Sequence, residues 1–108
     1  MATDKLNFFS PNHLAENMKE SMRLLGVDLG SKTIGLAVSD PSLKIASPIT
    51  TLKRSKMSSN ATEFSKIIKD YHIGGIVVGL PINMDGTEGP RVQATRDWSL
   101  DLAKTLVM

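Results

Sequence analysis

The sequence predicts an α/β fold: a three-stranded antiparallel meander, a crossover helix, a strand parallel to the first, and a closing helix. Three observations carry this expectation. Two short apolar runs, Leu24–Val27 and Ile76–Leu80, have the length and the bounding turn residues of buried strands. Between them, Ala61, Phe64, Ile67, Ile68 and Tyr71 follow helical spacing. Ahead of that segment, Ile34, Leu36 and Val38 alternate with Gly35, Ala37 and Ser39, the period of a strand with one apolar face.

Residues 1–21 read as a short N-terminal extension. Ser10 as N-cap and Pro11 at the first helical position start a helix that stacks Leu14 and Met18 one turn apart. Residues 22–28 read as the first strand; apart from Asp28 it is apolar on both faces, which predicts a central strand covered on both sides. Gly30-Ser31 is turn chemistry, and the short gap to a second strand over 33–39 makes a hairpin. Asp40-Pro41-Ser42 turns the chain again. A third strand around 46–52 contains Pro48, which has no N–H to give a neighbour and therefore suits a sheet edge. Residues 53–59 read as a basic, polar linker. Asn60 with Glu63 three positions on is a capping-box pattern, and Gly74-Gly75 stops the helix that follows. After the strand at 76–80 comes a loop over 81–90, rich in Pro, Asn, Asp and Gly. Pro90 then opens the last helix, with Ala94, Trp98, Leu102 and Leu106 as its recurring apolar positions. A right-handed crossover sets the end of the fourth strand beside Asp28, so that loops 29–33 and 81–91 converge.

The bulk numbers narrow the class. A chain of 108 residues is one domain or part of one. With 41% hydrophobic and 22% charged residues its composition is that of a soluble globular protein. It has no cysteine, which removes disulfide frameworks and thiolate metal sites and fits a reducing compartment such as the cytoplasm. No apolar run approaches the roughly 20 residues of a membrane span. The first 21 residues lack the basic and apolar regions of a secretory signal, and have no arginine for a transit peptide. The net charge of +2 is unevenly spread: residues 22–71 hold eight basic against four acidic side chains. The positive excess lies in the segment that contains Asp28, which tilts the chain towards an anionic partner.

Asp28 is the first candidate for chemistry. A carboxylate at the end of a central strand is rigidly held and exposed where the strand meets its turn, and can hold a divalent metal against a phosphate. A strand-terminal Asp can equally just start a turn. The loop from Leu80 to Arg91 leads into a helix N-terminus, whose free N–H groups suit phosphate. Asn83 and Arg91 are candidate side-chain contacts to a nucleic-acid backbone, and Asp85 and Glu88 are possible further metal ligands. Lys53, Arg54 and Lys56 form a small basic cluster that can touch nucleic-acid phosphates but reads first as a solvated linker. His13 and His72 have no ligand spacing and read as structural or surface residues, and Trp98 reads as core.

Two segments resemble a known family. Leu24-Leu25-Gly26-Val27-Asp28-Leu29-Gly30-Ser31-Lys32-Thr33-Ile34-Gly35-Leu36-Ala37-Val38-Ser39 is similar to the opening motif of the YqgF-type proteins. Val77-Val78-Gly79-Leu80-Pro81-Ile82-Asn83-Met84-Asp85-Gly86-Thr87-Glu88 is similar to their second motif. The resemblance covers about residues 22–107. It implies a ribonuclease H-like fold over residues 22–108. The implied function is that of a Holliday-junction resolvase, or of a nuclease maturing the 5′ end of pre-16S ribosomal RNA. It implies Asp28 as a catalytic, metal-binding acid using Mg²⁺ or Mn²⁺. The substrate-binding residues near the scissile phosphate would be Gly30, Lys32, Asn83 and Arg91. The implied substrate is structured RNA or branched DNA, and symmetric junction cutting implies a homodimer. Family members continue with another strand, an acid-Arg motif and a late Asp. This sequence reads as the N-terminal part of such a protein, C-terminally truncated, with weak or no activity of its own. Two other functions compete. One is a non-catalytic nucleic-acid-binding module. The other is an ATP-binding domain like those of actin and the 70-kDa chaperones, which share the Asp-Leu-Gly-Ser-Lys-Thr type of hairpin but need a far longer chain.

Overall fold

The computed structural model describes residues 22–40, 42, 46–81 and 85–106. The helix expected from Ser10, and Asn83, lie outside the described residues. The elements run β1 (Arg23–Leu29), β2 (Thr33–Ser39), β3 (Ala46–Lys53), α1 (Met57–Asp70), β4 (Ile73–Val78) and α2 (Pro90–Leu106). The sheet order is β3-β2-β1-β4. β1 pairs antiparallel with β2 and parallel with β4, and β2 pairs antiparallel with β3. This is the expected α/β arrangement: an antiparallel meander with one parallel strand added beside β1.

Alternation builds the core. Leu25, Val27 and Leu29 of β1 and Ile34, Leu36 and Val38 of β2 are buried on one sheet face. Phe64 and Ala61 of α1 and Trp98 and Leu102 of α2 join the same cluster, so both helices cover that face. Phe64 has no exposed surface and meets the Trp98 ring edge-on, with centroids 6.0 Å apart. The opposite face, with Leu24, Gly26, Asp28, Gly35 and Ala37, is half-buried to exposed among the described residues. The double coverage expected of β1 is thus described on one side only. β3 is an edge strand, as Pro48 predicts. The register moves by one residue between Leu36, paired with Thr50, and Ala37, paired with Pro48. That places a bulge at Ile49, which turns inward against the core.

Three boundaries differ from expectation. α1 starts at Met57, not Asn60; its N-cap is Lys56, whose carbonyl takes the N–H groups of Ser59 and Asn60 at 3.1 Å. Asn60 is therefore inside the first turn and its side chain is spent elsewhere. The helix ends at Tyr71, whose N–H returns to Ile67 O at 3.0 Å, and His72 takes the left-handed conformation (φ 54) that glycine usually fills. The His72 carbonyl then accepts the Arg23 N–H at 3.0 Å and delivers the chain straight into the sheet. Gly74-Gly75 is consequently part of β4 and does not stop the helix. The pairing steps from Arg23–Ile73 to Leu24–Gly75, which leaves Gly74 as an extra residue, a bulge that glycine tolerates.

Candidate active site

Asp28 is the last residue but one of β1 and is exposed. It lies on the face away from the helices, directly across from Gly35 in the ladder. A side chain at Gly35 would begin 3.7 Å from the Asp28 Cβ, so a small residue there keeps the carboxylate clear. On the other flank, Val27 pairs with Val78, and the Gly79 N–H donates to the Val27 carbonyl at 3.0 Å. The strand that leads into the second loop therefore ends beside Asp28, as the crossover requires. Gly30 closes the hairpin by donating its N–H to Thr33 O at 2.8 Å, and a Cβ on Gly30 would meet that same oxygen at 3.1 Å. Lys32 is exposed in the same turn.

The second loop is described from Asp85 onward. Asp85 accepts the Thr87 N–H at 2.9 Å and the Thr87 hydroxyl at 2.6 Å, and these bonds lower its pKa. Glu88 receives both guanidinium nitrogens of Arg96, at 2.8 and 3.1 Å. That two-point bond, with the charge of Arg96, lowers the Glu88 pKa and raises that of Arg96. Both acids considered as further ligands are thus engaged within their own loop and helix. Arg91 is exposed at the second position of α2. Among the described residues no hydrogen bond or ion pair joins it to Asp28, and Asn83 lies outside them. No group of three His, Asp or Glu side chains with ligand geometry exists among the described residues. One carboxylate fills one ligand position, so these residues do not by themselves fit a two-metal centre.

Two residues matter more than their sequence positions suggest. Arg54, assigned above to a solvated linker, is half-buried and donates from Nη1 to the Gly30 carbonyl at 2.8 Å. Its own N–H donates to Lys32 O at 2.9 Å. Asn60 has no exposed surface and is fully bonded: Oδ1 accepts the Ser55 N–H at 2.9 Å, and Nδ2 donates to Lys53 O at 3.1 Å and to Glu63 Oε1 at 2.9 Å. Asn60 and Glu63 do meet, but side chain to side chain within the helix; neither makes the backbone bonds of a capping box, and the Asn60 oxygen serves the incoming chain. An asparagine in register with Ala61 and Phe64 on a buried helix face was the available signal.

An α/β domain with a mixed four-stranded sheet and a carboxylate exposed at the end of its central strand is the class these elements define. Residues 22–108 match the RuvX family of Holliday junction resolvases, and the chain belongs to that family. It is 51% identical over 86 residues to a protein of Rhodospirillum centenum, covering 80% of this chain and 46% of that one. It is 45% identical over 98 residues to one of Gluconobacter oxydans (91% and 61%), and 51% identical over 87 residues to one of Roseobacter denitrificans (80% and 53%). All three carry the name "Putative pre-16S rRNA nuclease". The chain spans about half the length of these curated relatives. Among solved structures, the Aquifex aeolicus PPX-GPPA enzyme overlays with a TM-score of 0.48 at 12% identity, over 81% of this chain and 34% of its own.

Proposed function

We propose that residues 22–108 form a ribonuclease H-like domain carrying the first carboxylate of a phosphodiester-cleaving site, with residues 1–21 as an extension. The substrate is structured nucleic acid: the 5′ end of a pre-rRNA or a four-way DNA junction. The observation that carries this reading is the exposed Asp28 at the end of the central strand, with β4 ending beside it. Family membership and the names of the relatives support the reaction class. Asp28 is one ligand to a divalent cation, Mg²⁺ or Mn²⁺, and the other ligands come from outside the described residues. Such a cation, when bound, activates water and stabilises charge on the leaving oxygen. Gly30 lets the backbone approach, and Lys32, Asn83 and Arg91 contact phosphates on either side of the scissile bond. Cutting a junction symmetrically takes two copies.

A second reading has its own observation. With no group of three possible metal ligands among the described residues, the 108-residue chain by itself is a binding module with weak or no cleavage. Both readings are tested by incubating the purified chain, and its Asp28→Asn variant, with labelled pre-rRNA leader and four-way junction in Mn²⁺. The expected result is binding by both proteins, with any cleavage by the native chain lost in the variant. Cleavage that survives Asp28→Asn refutes the assignment of Asp28; strong cleavage by the native chain refutes the binding-module reading.

A further inference from the structure

The basic cluster after β3 does not behave as a linker. Lys53 is the last residue of β3 and pairs with Thr33. Leu52 pairs with Ile34 on the core face, so Lys53 and Thr33 belong to the opposite face, which is that of Asp28. The row Asp28–Gly35–Thr51 crosses three strands, and Lys53 stands two residues further along the third. At strand spacings of about 4.8 Å and a rise of about 3.4 Å per residue, its Cα is about 12 Å from that of Asp28. A nucleic-acid backbone that crosses this length carries more than one phosphate, so one strand can reach both residues. The residues between them on this face are Gly35, Thr33 and Thr51, none of them charged.

The backbone on both sides of Arg54 is fixed. Asn60 holds the Lys53 carbonyl and the Ser55 N–H from inside the core. Arg54 ties the segment to the Gly30–Lys32 turn through two bonds. The backbone at Lys53 and at Lys32 is therefore held on this side of Asp28, where a linker would leave Lys53 free to wander.

We propose that Lys53, with Lys32, forms a phosphate-backbone subsite on the β3 side of Asp28, and that Arg54 is the positioning residue that holds it there. This rests on the nuclease-family reading above and gives the substrate a direction: its backbone runs across the sheet from β3 towards Asp28. The subsite takes phosphodiester charge and is indifferent to base sequence.

The test is the salt dependence of binding by the full chain to a labelled RNA stem-loop and a labelled four-way DNA junction. Lys53→Gln is expected to weaken binding to at least one probe and to lower the slope of log K against log salt by about 0.7 to 0.9, the value for one phosphate contact. Its deficit should shrink about 2.6- to 3.5-fold between 50 and 200 mM salt. Lys66→Gln, an exposed lysine of α1, should change neither quantity. In an Arg54→Gln background whose unfolding curve matches that of the native chain, the Lys53→Gln effect should largely disappear; a general loss of structure would move that curve as well. An unchanged slope in Lys53→Gln, while the native chain still binds, overturns the subsite and leaves the nuclease reading intact. A native chain with no affinity for either probe overturns both.

Discussion

Replacing Asn60 with alanine removes three hydrogen bonds at a position with no solvent exposure. Two of them serve backbone groups, the Ser55 N–H and the Lys53 carbonyl; the third reaches the carboxylate of Glu63. A net contribution of about 0.5–1.5 kcal/mol per bond gives a range of about 1.5–4.5 kcal/mol. Glu63 is exposed and both backbone groups lie near the surface, where water can replace part of what is lost, so a cost of about 2–3 kcal/mol is expected. For a domain of this size that lowers Tm by about 8–24 °C. The measurement is thermal and urea unfolding followed by circular dichroism. Asn60→Asp is the discriminating partner. It keeps an acceptor for Ser55 but loses both donations and sets two carboxylates at the 2.9 Å now spanned by Nδ2 and Oε1 of Glu63. Like charges raise the folded-state pKa of such a pair above the unfolded value, so the pair is destabilising at neutral pH and relieved as pH falls and one proton is shared. Asn60→Asp should therefore recover stability relative to the native chain between about pH 7 and pH 4, while Asn60→Ala should not. A loss under 0.5 kcal/mol for Asn60→Ala, or an Asn60→Asp deficit independent of pH, would refute the account of Asn60 as the bonded hub of this corner.

Two further outcomes follow from the same structure. Phe64→Ala empties a site with no exposed surface and removes the edge-on contact with Trp98; a loss of about 3–5 kcal/mol is expected, which takes most of the stability of a chain near the lower end of the usual range and is read by the same unfolding curves. Glu88 has a folded-state pKa below its ordinary value because of Arg96, so its contribution is fully present above about pH 4.3 and is lost as pH falls through the lower, folded value. An NMR titration of the Glu88 carboxyl should show that low midpoint, and Arg96→Gln should move it back up towards the ordinary range.

The fold was legible where a local pattern and its tertiary role coincide. The alternation of Ile34, Leu36 and Val38 is a one-face pattern, and those residues are the buried ones of β2. Pro48 cannot donate to a ladder and sits on the edge strand. The two apolar runs of β1 and β4 pair in parallel, since a helix lies between them. Elsewhere a local signal had more than one outlet. Gly74-Gly75 can stop a helix or fill a bulge, and pairing with β1 selects the bulge. On α2, positions 94, 98, 102 and 106 advance about 40° per step, because four residues turn through about 400°. Taking Trp98 as zero, Leu102, Thr95 and Val92 fall at about 40°, 60° and 120°, the arc that is buried, while Ala94 falls at about −40° and is exposed. A stripe read at strict spacing of four thus begins off the real face at Ala94 and moves across it, with Trp98, Leu102 and Leu106 on the packed side.

The site divides in the same way. The exposed position of Asp28 was legible because everything that produces it is local: an apolar run that makes a strand, and a Gly-Ser turn that ends it. Arg54 was not, because its meaning depends on a partner 24 residues earlier in the chain. Within the triplet Lys53, Arg54 and Lys56 the sequence offers no reason to separate one cation from another. Pairing does so: the Thr33–Lys53 register puts Lys53 on the face of Asp28, and the next residue then has its N–H and guanidinium at the carbonyls of Lys32 and Gly30. The turn after Asp28 is too short to define its own shape beyond the single Gly30–Thr33 bond. Its carbonyls are anchored from β3, and that anchor is held by a buried asparagine on α1. The surroundings of the carboxylate are therefore set by residues that carry no chemistry of their own, and damage to Asn60 or Arg54 should reach Asp28 through the turn without touching it.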